Sequence, residues 1–336
     1  MAVIEKPRLR LPGERRPAWR GGLVLLLVLI ASGTILRLLD AAGLPPVRNF
    51  LLVWASLLVE AVPFILLGAI VSAAIEVFVP ARLFARLARL PGPVQMPVAG
   101  LGGFVFPVCE CGSVPVARRL VVKGLTPAAA ITFMLAAPIL NPVVLVATAV
   151  AYRGRDVLWV MVGGRAILGL VVALAVGWVV ARKGKRELLR APEDHHEPGE
   201  PLARRWPAYF AHLSSDFVML GRYLVIGAGV ASALQTFVPQ GIVGAVAETP
   251  VLNILAMMTL AGILSLCSES DAFVAASFVQ FGAGAQLAFL VFGPMVDAKL
   301  GFLYVGTFSR GFLRTVVAVV GAVTLAGALW VEVLAG

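Results

Sequence analysis

Charge is scarce in this chain: 14% of its 336 residues are Asp, Glu, Lys or Arg, against about 25% in ordinary soluble domains. Hydrophobic residues make up 60%. A soluble fold cannot cover that much apolar surface. Several apolar stretches also run to about 20 residues, the length that a hydrocarbon slab of roughly 30 Å requires. No GxxxxGK[ST] phosphate loop occurs, which excludes ATP hydrolysis by this chain. Behind a long basic arm, the apolar run 23–39 has no convincing small-residue cleavage site after it, so it reads as a retained span rather than a signal peptide. Cysteine is almost missing. The three present are an odd number, and none lies in an exterior loop, which argues against a disulfide framework.

The formal net charge is +10, with basic residues in short runs between apolar segments. Such runs are topology signals rather than a nucleic-acid-binding face. Apolar runs bounded by charge, Gly and Pro predict full spans near 21–41, 50–79, 126–151, 157–181, 212–238, 285–308 and 311–334. Two further apolar stretches, 94–122 and 250–281, are interrupted by polar sequence. The expected organisation is a cytoplasmic basic arm and first helix over 1–49, a first membrane repeat over 50–181, a cytoplasmic linker over 182–211 and a second repeat over 212–336. The linker mixes Pro, Gly, Glu and basic residues and cannot bury a core. Its adjacent His195 and His196 read as solvated rather than metal-binding.

The chain repeats itself. The stretch beginning Gly68-Ala69-Ile70-Val71-Ser72-Ala73 and ending Phe78-Val79-Pro80 aligns with that from Gly227-Ala228-Gly229-Val230-Ala231-Ser232 to Phe237-Val238-Pro239. In each half a broken segment carrying Cys and Glu follows, and then a polar kink: Pro138-Ile139-Leu140-Asn141-Pro142 in one, Pro294-Met295-Val296-Asp297 in the other. Interrupted segments at matching positions of internal repeats are the best sequence pointer to a transporter's binding site. If the first break crossed fully, Arg118, Arg119 and Lys123 would be exported, against the positive-inside rule. A re-entrant hairpin keeps every large basic cluster inside, and places the second break outside between 240–250 and 282–286, which hold no Lys or Arg. Three spans plus one hairpin is an odd number of crossings, so the predicted fold is an all-α polytopic membrane protein of two inverted repeats with one extra N-terminal helix.

Cys109 and Cys111 would lie about 200° apart on a helix. With Pro107, Gly112 and Pro115 around them, extended backbone is expected instead, in which both thiols can converge. Gly112 or Ser113, and Ser270 or Asp271, are the expected caps of the returning half-helices. Irregular backbone at membrane depth needs a protein-lined or watered cavity. Glu110, Glu269 and Asp271 each cost roughly 2.5–3.5 kcal/mol at a helix centre unless paired or wet. The candidate substrate-binding residues are therefore Cys109, Glu110, Cys111, Ser113, Asn141, Cys267, Ser268, Glu269, Asp271 and Asp297. For Asn141 and Asp297 a role in satisfying the backbone freed at the kinks is an equal reading, and Lys299 is a candidate partner for Asp297. Gly100, Gly102, Gly103, Gly163 and Gly164 read as close helix packing. Soft thiolates suit Cu(I), Zn(II) or trivalent arsenic, so Cys109, Cys111 and Cys267 form a candidate three-sulfur site.

The stretch 106–142, with Cys109-Glu110-Cys111-Gly112-Ser113, Gly124-Leu125-Thr126-Pro127 and Ala137-Pro138-Ile139-Leu140-Asn141-Pro142, resembles the bacterial predicted-permease family that includes organoarsenical efflux permeases. Cys267-Ser268-Glu269-Ser270-Asp271 and the residues to Phe278 resemble its second motif. The resemblance implies a multi-pass permease of the bacterial inner membrane, some of whose relatives export trivalent arsenicals. The resulting expectation is a secondary exporter of a thiol-reactive metalloid or metal, not an enzyme, with no cofactor and no nucleic-acid partner. The N-terminus would be cytoplasmic and protons would be the coupling ion through Glu110 or Glu269. A channel or assembly subunit for another small solute is the alternative. A membrane thiol oxidoreductase is a further one, weakened because redox pairs are usually spaced CxxC.

Overall fold

A computed structural model describes residues 31, 34, 45–78, 90–105, 108–183, 202–237 and 250–335. The expected first span and most of the linker, with His195 and His196, lie outside these residues. The chain is an all-α polytopic membrane protein. Its described helices are α1 (Pro45–Phe78), α2 (Gly92–Val105), α3 (Glu110–Val122), α4 (Pro127–Leu140), α5 (Pro142–Ala151), α6 (Leu158–Lys183), α7 (Leu202–Phe237), α8 (Pro250–Leu264), α9 (Asp271–Ser277), α10 (Ala283–Phe292), α11 (Ala298–Thr307) and α12 (Arg310–Ala335). Among the described residues, five stretches are long and apolar enough to cross a membrane: Pro46–Phe78, Pro127–Ala151, Leu158–Arg182, Trp206–Phe237 and Gly311–Leu334.

Two expectations need correction. The span expected over 285–308 is two helices of 10 residues each, α10 and α11. Gly293-Pro294 interrupts it, because proline has no N–H to continue the ladder. Asp297 then restarts a helix by accepting from the Leu300 N–H at 2.6 Å, and the Tyr304 hydroxyl donates to the freed Met295 carbonyl at 3.0 Å. The last long helix before the second break begins at Leu202, inside the stretch expected as linker. Trp206 packs edge-on and Tyr209 tilted against Phe78 of α1 at centroid distances of 5.6 and 5.8 Å, an apolar contact that stabilises the extra turns.

Side-chain contacts fix the direction of each element. α3 follows α1 in the same sense: Gly112 lies against Gly68, the Ser72 hydroxyl is 3.4 Å from the Pro115 carbonyl, and Lys123 donates to the Glu76 carbonyl at 2.6 Å. A Cβ on Gly68 would collide with the Gly112 backbone, so the helices meet there with no side chain between them. α2 starts where α3 ends, since the Thr126 hydroxyl, just past α3, bonds Gln95. α2 then runs beside α4, with Gly103 on Ala137. In the second half, the ends of α8 and α10 adjoin through Gly262 and Phe292. α9 returns to the start of α10, where the Gln286 amide donates to the Phe278 and Phe281 carbonyls at 3.2 and 2.8 Å. The Tyr152 hydroxyl, at the end of α5, donates to Gln286 at 2.8 Å. Because α4 and α5 run from Thr126 to Tyr152, the pairs α2–α3 and α8–α9 open at opposite ends of the bundle. Of the glycines expected to pack closely, Gly164 meets Leu287 but Gly163 faces open space.

Candidate functional site

The broken ends of the two helix pairs meet. Cys109 is extended (φ −73°, ψ 174°) and precedes Glu110, the first residue of α3. Neither Gly112 nor Ser113 is the cap: the helix starts at Glu110 with Cys109 in the cap position, and the Ser113 hydroxyl donates back to the Glu110 carbonyl at 3.0 Å. Cys111 is accordingly helical, not extended. Ser270 does occupy the cap position of α9, but its hydroxyl bonds the Cys267 carbonyl and Glu60 Oε1 instead of an orphan N–H. The second break turns at Ser265, whose φ of +48° is strained for a residue with a Cβ.

The two halves are joined through Glu110. Its Oε1 lies 3.1 Å from Lys299 Nζ, and its Oε2 accepts from the Ser268 hydroxyl at 3.0 Å. Lys299 also lies 3.7 Å from Asp297 Oδ2. Both Glu110 and Lys299 are buried, so each charge depends on the other for compensation. Cys267 Sγ donates to Glu269 Oε2 at 2.6 Å. A narrow cleft of about 10 Å³, room for about one water molecule, lies here, bordered by Glu60, Glu110, Lys299 and all three cysteines, with Leu57, Ala61 and Phe64 as its apolar wall. The three thiols are free and buried.

At the edge of this cleft, one ligand atom each from the lining residues Glu110 and Cys267 and from Glu269 beside them lie within 4.8 Å of one another. That close donor set holds one sulfur and two carboxylates. Cys109 and Cys111 line the same cleft beside it. Asn141 and Asp271 lie elsewhere. Asn141 caps α5 by accepting from the Val143 N–H at 3.0 Å, which is the backbone role. Asp271 is held by Arg165, whose two terminal nitrogens reach its two carboxylate oxygens at 2.8 and 2.7 Å. Arg165 also donates to Thr148 and to the Ser268 carbonyl. Asp297 is divided between capping α11 and facing Lys299.

Sequence reasoning passed over Arg165 and Glu60, and left Lys299 out of the site. The signal existed: each is an ionisable residue inside an otherwise apolar segment, and such residues mark function or a buried partner.

The family model described as a predicted permease matches residues 47–333, from the first turn of α1 to the last turn of α12. The chain belongs to the predicted-permease family. A Bacillus subtilis protein named UPF0718 protein YcgR is 38% identical over 287 residues, covering 83% of this chain and 96% of its own. A Streptococcus mutans protein, named for a subunit of a two-component membrane permease complex, is 34% identical over 269 residues, 80% of this chain and 89% of its own. No solved structure matches. This permease is thus a multi-pass protein of the lipid bilayer, whose family places it among membrane permeases.

Proposed function

We propose that this permease is a secondary transporter, not an enzyme, that exports a thiol-reactive metalloid or metal species such as a trivalent organoarsenical from a bacterial cell. The substrate site is the cleft between the two broken helix pairs. The observation that carries this reading is the convergence of Cys109, Cys111 and Cys267, the chain's whole complement of thiols, on one cleft with Glu60, Glu110 and Lys299. Thiols select soft and borderline centres, and neighbouring carboxylates accept protons or complete a coordination shell. The pairs α2–α3 and α8–α9 are re-entrant hairpins of two inverted repeats, entering from the cytoplasmic and the outer side of the inner membrane. Their opening at opposite ends of the bundle supports this. So does the positive-inside rule, which puts the N-terminus in the cytoplasm. Protons are the coupling ion, carried by Glu110 or Glu269.

The test is resistance and accumulation in cells lacking other exporters, challenged with arsenite, methylarsenite, zinc or copper. The wild-type chain lowers accumulation of one of these, and a Cys109→Ser, Cys111→Ser, Cys267→Ser triple variant does not. Equal accumulation in wild type and triple variant removes the thiols from the mechanism. The name of the Streptococcus mutans relative favours a second reading, in which the chain supplies the membrane path of a two-subunit assembly. Transport by the purified chain alone in liposomes decides between them.

A further inference from the structure

Lys299 is the one basic side chain bordering the cleft among the described residues, against Glu60 and Glu110 on its wall and Glu269 beside Cys267. It comes from α11, while Glu110 begins α3, so their 3.1 Å ion pair crosses between the two halves at the point where the broken ends meet. Glu110 is also one of the three residues whose donor atoms converge within 4.8 Å. A cation bound by Glu110, Cys267 and Glu269 would need the carboxylate that Lys299 already holds. Lys299 has a second acid within reach: Asp297 Oδ2, at 3.7 Å, has no hydrogen bond, and its other oxygen is committed to capping α11.

We infer that Lys299 is an internal counter-cation. It neutralises Glu110 while the site is empty, and moves to Asp297 when a soft divalent cation takes Glu110, Cys267 and Glu269 as ligands. The inference rests on the reading of the cleft as the substrate site and names its substrate class as a cation. As the sulfur takes up the metal, the S–H proton of Cys267 leaves to water. No other bond changes. The empty carrier then never exposes an uncompensated buried Glu110 to the low-dielectric interior, so it can return without cargo.

Cadmium(II) is a suitable probe for the purified full chain in lipid nanodiscs, because cadmium–thiolate bonds absorb in the ultraviolet. Wild type shows this band and Cys267→Ser loses it. A competitor lowers the apparent affinity by the fraction of sites it leaves free, so a pair formed about 90% of the time predicts that Lys299→Gln binds cadmium about tenfold more tightly. Lys299→Arg, which keeps the charge, stays near wild type. In proteoliposomes Lys299→Gln still exchanges labelled for unlabelled cadmium but loses net efflux into cadmium-free medium. Lys299→Gln affinity equal to or below wild type, with Cys267→Ser still abolishing the band, overturns the counter-cation and leaves the cleft reading standing. A wild-type band in Cys267→Ser overturns the Glu110, Cys267 and Glu269 ligand set, and a band that persists in the Cys109→Ser, Cys111→Ser, Cys267→Ser triple variant overturns the cleft reading as well. Should Lys299→Gln fail to fold, Asp297→Asn keeps the cap and removes the second acid. It weakens cadmium binding several-fold if Lys299 has to move there, and unchanged affinity refutes the movement.

Discussion

Removing the guanidinium of Arg165 exposes how the second break is held. The side chain is fully buried in α6, and its terminal nitrogens make contacts of 2.7–3.1 Å with both oxygens of Asp271, the Thr148 hydroxyl and the Ser268 carbonyl. Asp271 is also buried, so Arg165→Met leaves a carboxylate with no cation and a backbone carbonyl with no donor. Breaking a buried pair from one side costs about 3–5 kcal/mol. For a chain of this size each kcal/mol lowers the midpoint by about 2 °C, so the apparent Tm falls by about 6–10 °C. Asp271→Asn has a comparable cost, because it strands the arginine. The double variant strands neither, and its cost falls short of the summed single costs by about 2–3 kcal/mol. Thermal unfolding of all four proteins in one detergent closes this cycle. A loss below about 1 kcal/mol in Arg165→Met, with additive costs in the double variant, would refute the claim that this pair fixes the break.

Gly68→Ala places a methyl group in the Gly112 backbone; α1 and α3 must separate, at a cost of about 1–3 kcal/mol with loss of transport, and wild-type melting and transport would contradict the backbone contact. At the matching position, Gly227→Ala meets the Lys299 Cα at 2.8 Å and should displace the Glu110–Lys299 pair, read as weaker substrate binding. In a background with all three native cysteines changed to serine, thiols introduced at Leu90 and Lys123 should react with an impermeant reagent only from the inside, and those at Arg153 and Val279 only from the outside. Labelling of Leu90 and Lys123 from opposite sides would reject the re-entrant reading.

Five of the spans, the two breaks and the cysteines within them are legible in the sequence because each follows from local pattern: long apolar runs, Pro and Gly in clusters, isolated acids. The division of 285–308 into α10 and α11 is less so. Gly293-Pro294 announces a kink, but whether a kink becomes a true break depends on partners for the freed backbone, here Tyr304 and Ser265. Helix starts shift for the same reason. Ser113 has the chemistry of a cap, yet Glu110 enters the helix first because Lys299 and Ser268, more than 150 residues away, hold its carboxylate. Pairings at that separation have no local signature. The sequence shows that Arg165 needs a partner inside the membrane, and only the fold supplies Asp271.

These long-range partners explain why the site and the fold cannot be separated. Irregular backbone is tolerated at membrane depth only where something else satisfies it. In the second break part of that something comes from outside the break. The Ser268 carbonyl takes Arg165, and the hydroxyls of Ser268 and Ser270 go to Glu110 and Glu60 of the other half. Glu110 in turn is neutralised by Lys299 across the same boundary. A movement that opened the cleft from one end would have to part the Ser268–Glu110 and Lys299–Glu110 contacts, leaving a buried carboxylate that only a bound cation, a proton or the returning lysine can compensate. On the proposed reading of the cleft, coupling between occupancy and conformation would follow from where the helices break, with no separate device required.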